Sequence, residues 1–272
     1  DAAVRRLIAA RSGAPLPLRA IEPGDLDAVF AVQEATVAAL GGCGGWKGGA
    51  SSPTATPTFA PIPRAGIRSE SEPWVSRAPW VAVEVEIAFR VARTIDADLA
   101  DRLDDRAVVE DAFDAAMVAV EIVETRLADW AIASPLAKAA DLLSHGALIV
   151  GSPVPLRDLD LDFSSVTARL EIDGRAGMET IAGNPTGDPR RLLRPLARHC
   201  AERHLPLQRG QIVTTGSFTG MTEIAAPTGF TATIHPFGAL RSRIAAVGRR
   251  PSIGGDGSEP CGATTTGLRF TS

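Results

Sequence analysis

The chain has 272 residues, 45% of them hydrophobic and 22% charged, which is enough to bury a sizeable core and excludes a disordered or fibrous protein. Its formal charge is −4, from 28 Lys+Arg against 32 Asp+Glu, so it has no basic excess to hold a phosphate backbone or an anionic bilayer. Nucleic acid and membrane are therefore not expected partners. The apolar runs are too short to span a bilayer, and the opening Asp1-Ala-Ala-Val-Arg-Arg-Leu-Ile lacks a signal-peptide pattern, so the expected location is the cytoplasm.

Taken in chain order, residues 2–11 and 24–40 read as helices. Val4, Leu7 and Ile8 share one face of the first, and Leu26, Val29, Phe30, Gln33 and Val37 share one face of the second, with Pro23-Gly24-Asp25 as its start signal. They define a helical N-terminal section, 1–45. From Gly41 to about Pro79, glycine and proline punctuate the chain and periodicity vanishes, which predicts loop. Trp80 to Phe89 alternates strictly and predicts a strand with Glu84 and Glu86 on one face and Val81, Val83, Val85, Ile87 and Phe89 on the other. A helical pattern follows over 97–116; Met117 to Arg126 fits either a continuation of that helix to Trp130 or, from the alternation of Val118, Val120 and Ile122, the favoured strand at about 118–124. Further strands are expected at 147–151, 165–172, 211–215 and 230–235. Gly187-Asp188-Pro189 opens a helix with Asp188 as N-cap. Strands outnumber βαβ units, so the expected class is mixed α+β over 46–248, followed by a Gly/Ser/Thr-rich tail, 249–272, read as a poorly ordered appendage.

Cys43, Cys200 and Cys261 are widely spaced with no C-x-x-C, which argues against a disulfide framework and a thiolate zinc site. The four histidines form no H-E-x-x-H, and His199 and His204 are read on a polar helix face beside Arg198 and Arg203. A metal, if bound, would fall to carboxylates. Two acids at i and i+2 of a strand point the same way and can approach one hard cation, although the same pattern also describes the solvent face of a half-buried strand. Glu121 is an acid within the apolar run Val118 to Val123, and it wants a metal or an ion-pair partner such as Arg126 or Arg90.

Trp80-Val-Ala-Val-Glu-Val-Glu-Ile-Ala-Phe-Arg, Val120-Glu-Ile-Val-Glu-Thr-Arg-Leu-Ala-Asp-Trp and Gly210-Gln-Ile-Val-Thr-Thr-Gly-Ser-Phe-Thr-Gly closely resemble the signatures of the 2-keto-4-pentenoate hydratase group of the fumarylacetoacetate hydrolase superfamily. The likeness runs from about residue 2 to about 244. It implies a mixed β-roll preceded by a small helical section, with Glu84, Glu86 and Glu121 as ligands of Mg²⁺ or Mn²⁺. Gly45-Trp46-Lys47-Gly48-Gly49 is similar to the group's glycine-rich lysine motif, with Trp where Tyr or Phe is usual, and makes Lys47 the implied active-site lysine. Glu70 is the nearest counterpart of an acid that is usually Asp. Thr215, Ser217 and Gln33 are the implied substrate contacts.

The activity that this resemblance implies is a lyase reaction, the metal-dependent hydration of a 2-hydroxy-2,4-dienoate to a 4-hydroxy-2-oxo acid in the catabolism of aromatic compounds, by a homo-oligomer. Lys47 and Glu70 are the expected proton carriers. The same chemistry serves 2-oxo-3-enedioate decarboxylases and acylpyruvate hydrolases. A catalytically inactive relative that keeps the fold is the non-enzymatic alternative.

Overall fold

The computed structural model describes residues 2–78 and 80–245; the 249–272 tail lies outside them. The N-terminal helices form where the apolar spacing places them, as α1 (Ala2–Ala10) and α2 (Leu26–Ala39). Asp25 caps α2 by accepting a hydrogen bond from the Ala28 amide at 2.8 Å.

The stretch expected to be loop between Gly41 and Pro79 instead carries four strands: β1 (Cys43–Gly49), β2 (Thr58–Pro63), β3 (Ile67–Ser69) and β4 (Trp74–Val75). The glycines of β1 are there for close backbone approach. A Cβ on Gly45 would lie 2.1 Å from the Ile212 carbonyl oxygen, and one on Gly44 would lie 2.6 Å from the Arg64 Cα. Composition reads such a run as loop because it scores the missing side chains and not the strands packed against the bare backbone.

β5 (Ala82–Val91) agrees with the predicted alternation. The helical pattern expected over 97–116 resolves into α3 (Ala97–Ala100), α4 (Arg106–Ala112) and the start of β6 (Phe113–Val123), five residues earlier than expected. Both faces of β6 are buried, so its alanines show no polar alternation and are indistinguishable from helix formers. The chain continues through α5 (Pro135–Ala140), β7 (His145–Val150), β8 (Val154–Pro155), β9 (Thr167–Ile172), β10 (Arg175–Ile181) and α6 (Leu193–Glu202). It ends in β11 (Ile212–Ser217), β12 (Thr222–Glu223), β13 (Thr228–Ile234) and β14 (Gly238–Ala245). Asp188 caps the turn leading into α6, as its sequence predicts, by accepting from the Arg190 amide at 2.9 Å.

One sheet runs in the order β2-β1-β11-β5-β6-β7-β3, with β12 beside β5 and β8 beside β6. Its two end strands, β2 and β3, are joined by only the turn Arg64–Gly66, so the path must curl back on itself into a roll. Pairing is parallel at β1/β11 and β3/β7 and antiparallel at β11/β5, β5/β6 and β6/β7, the mixed β architecture expected of the α+β class. The second sheet, β10-β9-β13-β14-β4, covers the outer face. There Val83, Val85, Ile87, Phe89, Val118 and Val120 pack with Leu170, Phe230, Ala232 and Leu240. The inner face is lined by small residues, Ala88, Ala115 and Ala119, with Met117, Leu148 and Ile62.

α1 and α2 lean on the segment after β6, burying Val4, Leu7 and Val32 against Leu127, Ala133, Ala137 and Ala140. His199 departs from the polar helix face expected for it. It is half-buried among the rings of Phe30, Phe59 and Trp46, with centroids 4.7, 5.5 and 5.9 Å away.

Replacing Gly45 by alanine forces β1 away from β11, and the expected loss is about 1–3 kcal/mol, as for other overpacked interiors. Urea denaturation should show it. Gly49→Ala, where a Cβ meets nothing within 4 Å, is the control; equal stability of the two variants would contradict the close approach.

Candidate functional site

Strand register builds the site. Glu84 on β5 is the Cα partner of Glu121 on β6, and Glu86 lies two residues along on the same inner face. One carboxylate oxygen from each residue lies within 4.8 Å of one from each of the others. Glu86 and Glu121 are 3% and 1% exposed, and Glu84 is half-buried. The reading of this face as a solvent face is therefore wrong; these acids point into the roll.

Lys47 reaches them across the sheet. It pairs with Thr214 on β11, which in turn pairs with Ala88 on β5, so Lys47 shares the glutamates' face from a strand and not from the expected loop. Its ammonium donates to Glu121 Oε1 and, at 3.0 Å, to the Leu143 carbonyl. His145 opens β7 and is buried, with Nδ1 3.1 Å from the same Glu121 oxygen. Neither arginine considered as a partner of Glu121 pairs with it. Arg90 pairs with Asp114, and Arg126 forms a buried pair with Asp141, at Nε–Oδ1 distances of 2.8 and 2.5 Å.

The electrostatics follow from burial and crowding. Desolvation, then the neighbouring Glu121, pushes Glu84 up to about 7. Desolvation, with Glu121 and Glu84 beside it, pushes Glu86 up to about 8. Burial also acts to raise Glu121, but Lys47 and His145 outweigh it and hold that carboxyl below the usual range. Burial drives His145 down to about 4, against the pull of Glu121. Glu121 Oε2 is buried and has no hydrogen-bond partner. An orphaned carboxylate oxygen beside two further carboxylates, with no sulfur or ring nitrogen among the three, is a donor set fitted to a hard divalent cation such as Mg²⁺ or Mn²⁺.

A cavity of about 560 Å³ opens over the triad, lined among others by Lys47, Leu143, Thr180, Asn184, Ser217 and Thr219. Ser217 is among the lining residues. Thr215 is not, because the alternation that points Thr214 inward turns Thr215 outward, where its hydroxyl donates to the Ile87 carbonyl at 3.0 Å. A register shift between Thr214 and Ser217 brings Ser217 opposite Glu86. Glu70 lies apart from the triad. It is exposed, accepts from the Arg241 amide at 3.3 Å and lies outside the cavity lining. Gln33 is neither a surface residue nor a lining residue; it is buried and donates to the Ala139 and Phe59 carbonyls at 2.8 and 3.4 Å, tying α2 to the roll.

Two residues at the site carried no local signature. His145 begins an apolar strand, and its isolation in that run was the available signal. Asn184 donates to the Thr215 and Gly216 carbonyls at 3.0 and 3.1 Å and so fixes the bend that carries Ser217.

No protein-family model matches the chain. It is 31% identical over 164 residues to a 2-keto-4-pentenoate hydratase of Paraburkholderia phymatum, a region that spans 59% of this chain and 60% of that protein. Its structure is similar to that of 4-oxalocrotonate decarboxylase from Pseudomonas putida G7 complexed with magnesium and adipate. The TM-score is 0.76 at 18% identity, over 90% of this chain and 95% of that one. A fumarylpyruvate hydrolase from Pseudomonas aeruginosa in complex with Mn²⁺ and pyruvate is similar at a TM-score of 0.56 and 13% identity, over 74% and 89% of the two chains. The roll is thus the fumarylacetoacetate hydrolase-like fold. Its sequence bears a distant similarity to the 2-keto-4-pentenoate hydratases. Among the described residues no helix is long and apolar enough to cross a membrane.

The raised carboxyls make stability fall as pH rises. In the unfolded chain Glu84 and Glu86 titrate near the ordinary 4.5, and in the folded protein near 7 and 8, so between these values the folded state holds more protons and loses ground as they leave. His145 works in the opposite sense, but only below its ordinary 6.5. The metal-free melting temperature should therefore drop between about pH 6.5 and 8, and Mg²⁺ should restore it most strongly at pH 8. A flat or rising metal-free profile in that window, unchanged in Glu84→Gln, would refute the clustered charge.

Proposed function

We propose that the chain is a divalent-metal-dependent hydratase. It would convert a 2-hydroxy-2,4-dienoate of the 2-keto-4-pentenoate type to a 4-hydroxy-2-oxo acid, with Glu84, Glu86 and Glu121 holding Mg²⁺ or Mn²⁺. The observation that carries this reading is the buried triad with a lysine on its cavity wall. The similarity to 2-keto-4-pentenoate hydratases supports hydration as the reaction. Bound there, the ion would supply a Lewis acid that polarises the oxygens of a 2-oxo acid.

The rest falls to the protein. Ketonisation takes the proton from the enol oxygen and places one on the far carbon; water then adds hydroxyl to C4 and hydrogen to C3 of the conjugated enone. Lys47 is the cationic side chain among the described residues lining the cavity, and it is the group that delivers and takes up these protons. Ser217 and the bend that Asn184 braces face the substrate carboxylate. A single lining cation suits a substrate with one carboxylate better than the dicarboxylic substrate of a 2-oxo-3-enedioate decarboxylase. The acylpyruvate hydrolase reading calls for a base that activates water, and His145, fully buried and outside the lining, is not placed for it.

Loss of the dienoate's conjugated ultraviolet absorbance, followed with and without Mg²⁺ or Mn²⁺, tests the reaction. Glu84→Gln and Glu121→Gln should each abolish metal-dependent loss while the protein stays folded; full activity in either would refute the assignment. Lys47→Ala should slow turnover at saturating metal by about 100-fold or more and weaken metal binding far less. Equal losses would reduce Lys47 to a support of the carboxylate. An absence of turnover in the unaltered protein that binds metal normally would favour the inactive relative.

A further inference from the structure

Glu121 is held by two donors at one oxygen while its other oxygen is left bare. Lys47 and His145 both meet Oε1, and Oε2 is buried without a partner. The two donors are unlike. The lysine side chain is 11% exposed at the cavity, where it serves the chemistry, whereas the histidine ring is fully buried and outside the lining.

We propose that His145 is a positioning residue for the metal site: by donating its Nδ1–H to Glu121 Oε1 it fixes that carboxylate so that Oε2 is presented to the cation. The inference rests on the reading of the triad as a metal site. A carboxylate oxygen only accepts, so the proton must sit on Nδ1, which leaves Nε2 as the bare acceptor. Nε2 is indeed buried without a partner.

The surroundings fix the ring in this pose. At Gly66, in the turn between β2 and β3, a Cβ would lie 2.9 Å from Nε2, so the glycine leaves the space the imidazole fills. From the other side, Arg126 Nη1 donates to the His145 carbonyl at 2.8 Å, and the same guanidinium is clamped by Asp141. A bare, buried nitrogen is costly; here it accompanies a donor aimed at a metal-ligand oxygen, as outer-shell partners of metal sites are. With His145 in place, Glu121 keeps one partner even when Lys47 turns to substrate.

Mn²⁺ affinity, read by the loss of the free-ion electron paramagnetic resonance signal, tests the proposal in the unaltered protein, His145→Leu and His145→Asn. The leucine variant should bind Mn²⁺ about 10-fold or more weakly, and asparagine, which keeps a donor near the Nδ1 position, should recover most of that loss. Unaltered affinity in His145→Leu, or an asparagine variant as weak as the leucine one, would overturn the role of His145 alone. Failure of the unaltered protein to bind Mn²⁺ would remove the triad reading and this inference with it. Should the leucine variant not fold, ¹⁵N-histidine spectra of the unaltered protein decide. An Nδ1–H tautomer at His145 supports the proposal, and an Nε2–H tautomer overturns it.

Discussion

Three carboxylates on neighbouring strands, withdrawn from water and facing one another, repel, and the structure around them is organised to contain that repulsion. Glu84 and Glu121 are cross-strand partners and Glu86 is the next residue on the same face, so no rotation of a side chain about its own strand separates them. Lys47 neutralises one of the three charges, and His145 adds a dipole without adding charge. The remainder is relieved by protonation, as the raised Glu84 and Glu86 carboxyls indicate, or by a cation. A protein without a use for this cluster would be as stable with apolar side chains in its place.

The two partners of Glu121 depend on a second buried ion pair. Arg126 and Asp141 meet at 2.5 Å, Asp141 also accepts from the Arg126 amide at 2.9 Å and the Thr125 hydroxyl at 3.1 Å, and the guanidinium reaches the carbonyls of Asp141 and His145. The turn that this cage encloses is strained: Leu142, Leu143 and Ser144 have φ of 52°, 51° and 61°, a left-handed region that bulky residues avoid. The strain has a visible result, since it aims the Leu143 carbonyl at Lys47 and delivers His145 onto β7 beneath Glu121. Backbone held in an unfavourable conformation next to reactive groups is common where position matters more than stability.

Much of this was legible in the sequence where one face of an element differs from the other. The alternation from Val81 to Phe89 gave β5 and the paired acids, and an acid within Val118 to Val123 marked Glu121. Legibility failed where a cause lies across the fold. Gly45 answers to the Ile212 carbonyl, far along the chain, and Gly44 to the Arg64 backbone. Thr215 and Ser217 differ by a register shift that no local pattern encodes. Glu70 and Gln33 match the family pattern by position alone, and each makes its contacts elsewhere, with the Arg241 amide and between α2 and the roll. His145 carried no motif, and its role depends on a strand neighbour 24 residues earlier.

The groups that would act on a substrate and the groups that would enclose it come from different kinds of structure. Lys47, Glu84, Glu86 and Glu121 sit within paired strands, whereas Gly183, Asn184, Pro185 and Thr186, together with Ala50, line the cavity from connections between strands. Connections tolerate exchange far better than the interior of a sheet. Asn184 and Gly183 tie the 182–187 connection to β11 and the residue after it, so recombination confined to the 50–57 connection would diversify what the cavity admits while inheriting the charged centre unchanged, which makes this roll a scaffold on which selectivity can drift without renegotiating the chemistry.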